Sequence, residues 1–349
     1  MANKKSGRWV LYILVVIIGW LGFQSLPVDH ALPAIAAVDS PVSTASAPAL
    51  KADDEAIQPM VVENDVAPTL GFEVKPLYPQ QHVFDDKICS FGDIRANFQD
   101  KHVEAIGRLD DRYQVNHYVL SPYLELNLYA TELSEYLEQT LITRLALLHQ
   151  DYIKMLGTSA QTAMVLHLVI APNREEYHHQ LSFYSPRQSP TLGVYFGGIN
   201  MAYIDYQYSD DKALKTAIHE SVHALNAHIL GKTPRMFNEG MAEFYEAMTL
   251  VDGEISIEIE QSDLMKAPYP LMQFFDYQQW PYLDVSRLYY SSWSWVTFMR
   301  SSAQGRRALI YFMHKERNKP CTAFSADQSY EILQYKYNDL ELDFEEWPH

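Results

Sequence analysis

The chain has 349 residues, 48% of them hydrophobic, a formal net charge of −17 and two cysteines. So acidic a chain argues against binding to nucleic acid or to an anionic lipid surface, and no nucleic-acid partner is expected. Neither Cys89 nor Cys321 has a further Cys or His at CxxC-like spacing, which excludes a cysteine-based metal site; in an oxidising compartment the two would pair with each other.

Lys4, Lys5 and Arg8 precede an uncharged apolar run from Trp9 to Phe23, and no Lys or Arg follows until Lys51. This asymmetry predicts a signal anchor or signal peptide over residues 1–27. The expectation is a single-pass protein of the inner (cytoplasmic) membrane with its catalytic domain on the periplasmic side. Secretion after cleavage near Ala34-Ile35-Ala36 is the alternative. Residues 28–69 are rich in Ala, Pro and Ser without a sustained period, and read as a disordered linker.

Farther along, apolar residues at Leu133, Leu137, Leu141, Leu145, Leu148 and Tyr152 predict a helix within 124–152. Ala163 to Ile170 reads as a strand. Gly193 to Phe196 and Met201 to Tyr206 flank Gly197-Gly198 and read as a hairpin. Met201 to Tyr206 is then the candidate edge strand for pairing with extended substrate, unless it proves to be internal.

A long amphipathic helix follows from about Asp210, capped by Asp210 and Asp211, to Leu230. Leu214, Ile218, Val222, Leu225 and Ile229 form its buried stripe. Within it, His219-Glu220-Ser221-Val222-His223 is an HExxH sequence. Positions four apart lie one above the other on a helix, so the two imidazoles aim at one point. Glu220 lies beside them, close enough to take a proton from a metal-activated water without ligating the metal. His167, His178 and His179 lack partners at helical spacing and read as strand and surface residues.

Gly231, with Pro234 three residues beyond, predicts a helix stop. A second helix then carries Asn238-Glu239-Gly240-Met241-Ala242-Glu243-Phe244-Tyr245-Glu246, with Met241, Phe244, Tyr245 and Met248 as its apolar stripe. Glu239, Glu243 and Glu246 share another face, where they repel one another unless a cation or hydrogen-bond donors offset them. A short turn would return Glu239 to the two histidines.

These paired motifs resemble the gluzincins, thermolysin-like zinc peptidases, and most of all their peptidase MA-like family, which carries NEGxAE at this place. The resemblance implies one Zn²⁺ held by His219, His223 and Glu239. It also implies Glu243 as the carboxylate that orients a ligand histidine. The segment between His223 and Glu239 is shorter than the thermolysin-type spacing, and Glu243 is the alternative ligand. Tyr289, Ser292 and Trp293 match a Tyr-x-x-Ser-Trp segment that opens a helix in relatives. Tyr289, or failing it Tyr290, is a candidate to stabilise an oxyanion; a half-buried packing tyrosine is the other possibility.

Helices over Ser286 to Ser301 and Arg306 to Lys315 complete the order of elements. The likeness spans 160–345 within a domain of 70–349. It implies an α+β, zincin-like two-lobed fold, with a small mixed sheet, an active-site helix and a mainly helical C-terminal lobe. The expected function is zinc-dependent hydrolysis of a peptide or protein substrate in the cell envelope. The alternatives are a zincin scaffold with little or no turnover that binds an envelope partner, and hydrolysis of a cell-wall peptide or glycan-linked amide.

Overall fold

Alternation of apolar and polar residues builds the sheet on which the site rests. The computed structural model describes residues 90–184, 191–207, 209–251, 254–257, 267–276 and 283–347. The expected N-terminal segment and the linker lie outside them. Strands β1 (Gln114–Ser121), β2 (Leu124–Ala130), β3 (Met164–Ala171), β4 (Gly193–Phe196) and β5 (Met201–Asp205) form a five-stranded mixed sheet in the order β1-β2-β3-β5-β4. β2, β3 and β5 run parallel; β1 and β4 are antiparallel to their neighbours at the two ends.

Leu124, Leu126 and Leu128 of β2, Leu166, Leu168 and Ile170 of β3, and Ala202 and Ile204 of β5 point into the larger core. The intervening Tyr129, Val169, Ala171, Met201 and Tyr203 point into a second core on the opposite face. A strand with both faces covered in this way is internal.

Two sequence expectations are corrected here. The stretch from Leu124 does not belong to the helix: three leucines spaced by two give a strand, and helix α2 (Glu135–Leu156) begins after Ser134, whose side chain caps it by accepting from the Leu137 amide. Met201 to Asp205 is not an edge strand, since β4 covers it on one side and β3 on the other. The expected hairpin of β4 and β5 is present, with Asn200 in the left-handed region at φ 50°.

The remaining helices before the site are α1 (Phe91–Ile106) and α3 (Arg174–Ser182). After them come α4 (Asp210–Ile229), α5 (Arg235–Glu246), α6 (Leu271–Phe275), α7 (Val285–Ser301), α8 (Ala303–Arg317), α9 (Ala326–Lys336) and α10 (Leu340–Glu345). A two-stranded ribbon, β6 (Met248–Val251) and β7 (Glu254–Ile257), follows α5. The architecture is thus α+β, with helices dominating after the sheet.

The cap of α4 is Ser209, which accepts from the Lys212 amide, rather than Asp210 or Asp211. The two aspartates occupy the first turn, where the positive end of the helix favours them. Asp210 also accepts hydrogen bonds from Ser134 (2.5 Å) and Tyr206, which ties the start of α4 to the start of α2.

The stripe Leu214, Ile218, Val222, Leu225 and Ile229 is fully buried between α4 and the larger core. Gly231 ends the helix at φ 88°, a left-handed conformation glycine adopts without strain. A side chain there would also strike the backbone of Pro320. Next to Pro320, Cys321 is disulfide-bonded, and the other cysteine in the sequence, Cys89, lies outside the described residues.

A buried polar cluster locks α5 to its neighbours. Asp151 of α2 accepts from Arg300 of α7 (2.6 Å) and from the Tyr245 hydroxyl of α5 (2.5 Å). Trp295, Phe298, Phe344 and Trp347 pack together beyond it and seat the acidic C-terminal stretch. Among the described residues, no helix is long and apolar enough to cross a membrane.

Candidate metal centre

α4 and α5 form a tight helical hairpin, and the two histidines of α4 meet a carboxylate of α5. Glu239 Oε2 lies 3.5 Å from His219 Nε2 and 3.6 Å from His223 Nε2. The three donor atoms fall within 4.8 Å of one another, close enough to hold one metal ion. A charged imidazole–carboxylate hydrogen bond closes to about 2.7–2.9 Å. Ligand atoms arranged tetrahedrally around a zinc-sized ion stand about 3.3–3.5 Å apart, given bonds of about 2.0–2.2 Å. Both carboxylate–imidazole separations are longer than a hydrogen bond and leave room for an ion between the donors.

The far nitrogen of each ring is what a binding site must also control. His219 Nδ1 donates to Glu246 Oε2 at 2.9 Å, with Glu243 Oε1 3.7 Å away. A cation that displaces the proton from Nε2 would find His219 already held in the ligating orientation by its Nδ1 contact. The expected orienting carboxylate was Glu243; the shorter contact belongs to Glu246. Two helices running in opposite directions explain the choice. Moving from His223 back to His219 along α4 corresponds to moving forward along α5, beyond Glu239 and toward Glu246.

His223 Nδ1 is buried without a partner of full hydrogen-bond geometry, and the Asn238 side chain acts on it from alongside. Asn238 is itself held by Asn226 Nδ2 (2.8 Å), and Asn226 accepts from the buried Tyr152 hydroxyl (2.7 Å).

The protein's own charges strike a definite balance here. Burial works against a charge on His219, yet the carboxylates of Glu239 and Glu246 outweigh it and raise its pKa well above the usual histidine value. At His223 burial prevails and lowers the pKa to about 4. Glu239 is desolvated, but both imidazoles and Arg235 hold its carboxyl below the ordinary range. Glu220 is pushed up to about 7, chiefly by burial. Glu243 also rises to about 7, by burial and by repulsion from Glu246. A site with four carboxylates and two imidazoles is built to take up positive charge.

Glu220 points to the sheet side of the hairpin. The backbone of Tyr195 on β4 favours the charged form of its carboxylate and opposes the effect of burial. This seat exists because residue 193 is glycine: a Cβ there would come within 2.8 Å of Glu220 Oε1 and 2.4 Å of Thr216 Cγ2. Neither β4 nor Gly193 was assigned this role from the sequence.

The Tyr289 phenol lies near enough to Glu239 and Glu243 to feel their charge. Burial and the nearby Glu239 raise its pKa, while the Arg235 guanidinium works the other way. Tyr290 instead stacks on Trp293, with ring centroids 5.9 Å apart. His167 is remote from the ligand set; it packs on His102 with ring centroids 3.7 Å apart, and burial lowers its pKa to about 3. His178 and His179 sit on α3 against Tyr177 and Phe183.

No protein-family model matches the chain, and no curated protein matches it either.

Proposed function

We propose that the protein is a zinc-dependent peptidase of the cell envelope, with the two-lobed zincin-like fold of the gluzincins and a membrane anchor or export signal in residues 1–27. The single observation that carries the reading is the meeting of His219, His223 and Glu239 at metal-ligand separations, with Glu220 buried at its side. The HExxH and NEGxAE pairing supports it from the sequence.

A bound zinc ion would supply Lewis-acid catalysis and bring the pKa of a water to about 7. The rest falls to the chain's own groups. His219, His223 and Glu239 hold the ion, and Glu246 and Glu243 keep His219 in the tautomer that ligates. Glu220 takes the proton of the attacking water and returns it to the leaving amine. Tyr289 donates a hydrogen bond to the oxyanion that develops on the scissile carbonyl. β4, whose outer edge carries no strand among the described residues, offers backbone groups to an extended peptide beside Glu220.

The test is a pair of variants of the purified protein. Glu220→Gln keeps one equivalent of zinc but loses hydrolysis of an unfolded protein by about 10²–10⁴-fold. His223→Ala loses both zinc and hydrolysis. Cleavage that survives Glu220→Gln rules out this base. Stoichiometric zinc with no cleavage of any library peptide by the wild type supports the binding scaffold instead.

A further inference from the structure

We propose that His102 on α1 and His167 on β3 form an acid-sensitive latch that holds α1 against the second core, independently of the metal centre. The two rings meet at 3.7 Å between centroids, inclined by 57°. His102 Nδ1 donates to the Ile199 carbonyl oxygen at 3.0 Å. A neutral ring that donates from Nδ1 carries no proton on Nε2, and His102 Nε2 is buried without a hydrogen-bond partner. His167 Nδ1 stands 3.4 Å from both the Asn127 amide nitrogen and the Tyr129 hydroxyl, two groups able to donate to a neutral ring.

A proton added to His102 would be buried on Nε2 with no acceptor, and one added to His167 Nδ1 would face donors. Charging both rings would set like charges 3.7 Å apart. The surrounding charges offer no relief. His102 and His228 of α4 both act on His167 with the same sign. On α1, Lys101 and Glu104 flank His102 but are exposed, and Glu104 is engaged by Arg108. On the sheet, Glu125 of β2 lies 3.7 Å from His117 of β1, and both are about half exposed. Burial accordingly lowers the pKa of both latch histidines, that of His167 to about 3.

Little else fastens this helix. Of the α1 side chains described, Ala105 is the only one fully buried, with Ile106 half-buried against the second core, while Val103 is 70% exposed. At the far end the Arg317 guanidinium covers the Phe91 ring at 4.9 Å. Once α1 is released, the two imidazoles return to the ordinary value of about 6.5. Docked they lie lower, so docking is strongest above that value and is lost as pH falls below it. For His167 alone the docking constant drops about 100-fold between about pH 6.5 and 4.5, and His102 steepens the loss.

The experiment uses the full-length protein. Hydrogen exchange of Phe91–Ile106, read by mass spectrometry and corrected for the intrinsic pH dependence of exchange, is followed from about pH 7 to 4.5. Wild-type α1 is expected to lose about 100-fold or more of its protection over this range, while α2 and β3 keep theirs. His102→Gln keeps a donor for the Ile199 carbonyl but takes up no proton. In His102→Gln/His167→Gln the protection of α1 no longer varies with pH, whereas Glu104→Gln and Glu125→Gln leave the acid release in place.

An α1 that exchanges freely at neutral pH, or that stays protected in acid, overturns the latch. So does an acid release that survives in the double variant or vanishes in either glutamate variant. Should the double variant fail to dock α1 at any pH, the imidazole proton resonances of the wild type, assigned by the single variants, decide. The latch requires His102 and His167 to take up protons only as α1 is released; titration of either near the ordinary histidine value with α1 still protected overturns it.

Discussion

Gly240 of α5 lies so close to Ser292 of α7 that a Cβ at position 240 would come within 2.5 Å of the Ser292 carbonyl oxygen. One residue of the NEGxAE sequence thus meets one residue of the Tyr-x-x-Ser-Trp sequence, backbone to backbone. Glu239, the neighbour of Gly240, faces the histidines. On helix propensity alone, Gly240→Ala would stabilise by about 1 kcal/mol. Overpacking against a backbone that cannot step aside costs about 1–3 kcal/mol. The clash is expected to win, lowering Tm by a few degrees in calorimetry and weakening zinc binding. A higher Tm would show that α7 yields easily.

Glu246 and Glu243 compete for one role, and the distances separate them. Glu246→Gln removes the acceptor at 2.9 Å from His219 Nδ1, whereas Glu243→Gln removes one at 3.7 Å. Loss of a ligand's partner weakens metal binding about 10- to 100-fold. The larger loss is expected for Glu246→Gln in chelator competition. The reverse order would restore Glu243 to the place the resemblance implied for it.

Gly193 leaves room for Glu220, the proposed base. In Gly193→Ala the new methyl group presses on Thr216 and Glu220. A displacement of the order of 1 Å at a reacting group costs about 10²-fold in rate. Peptide hydrolysis should fall by about that factor while zinc stoichiometry stays at one. Unchanged kcat would mean that Glu220 works from another position.

Glu316 on α8 gives a pH dependence outside the candidate metal centre. It is fully buried, and neither carboxyl oxygen meets a partner of full hydrogen-bond geometry. Burial raises its pKa from an ordinary 4.5 to about 8, with the Phe324 amide and Lys319 only partly opposing the rise. Between these two values the folded chain keeps a proton that the unfolded chain has released, so stability falls as pH rises from about 4.5 to 8. Glu316→Gln removes that slope. At pH 8 the variant should be the more stable by about 1–3 kcal/mol, the range for an unsatisfied buried group. Parallel Tm–pH curves for the two proteins would place the titration elsewhere.

Much of the hairpin that carries the site was legible because its signals are local. HExxH on a five-residue apolar stripe, Gly231 with Pro234, and the apolar face of α5 each report on a few neighbouring residues. Residues 124–130 were misread because their leucines also fit the helical stripe that follows; only the period of two, Leu124-Leu126-Leu128, marks the strand. Whether Met201–Asp205 lay at the edge depended on strand order, which no local pattern encodes. Glu246 was visible as the third carboxylate of its face, but pairing it with His219 needed the register of two antiparallel helices. Gly193 gained meaning only once β4 was brought against the hairpin.

The proposed ligands all fall between positions 219 and 239, in one pair of successive helices, whereas the proposed base is seated by a strand that precedes them. Contacts near in sequence close early and at small entropic cost, while pairing between distant strands comes late. A chain still assembling its sheet could therefore capture a cation before it has any means of using it. Retention of the ion and turnover would then fail at different points when the protein is gradually denatured, with catalysis lost first.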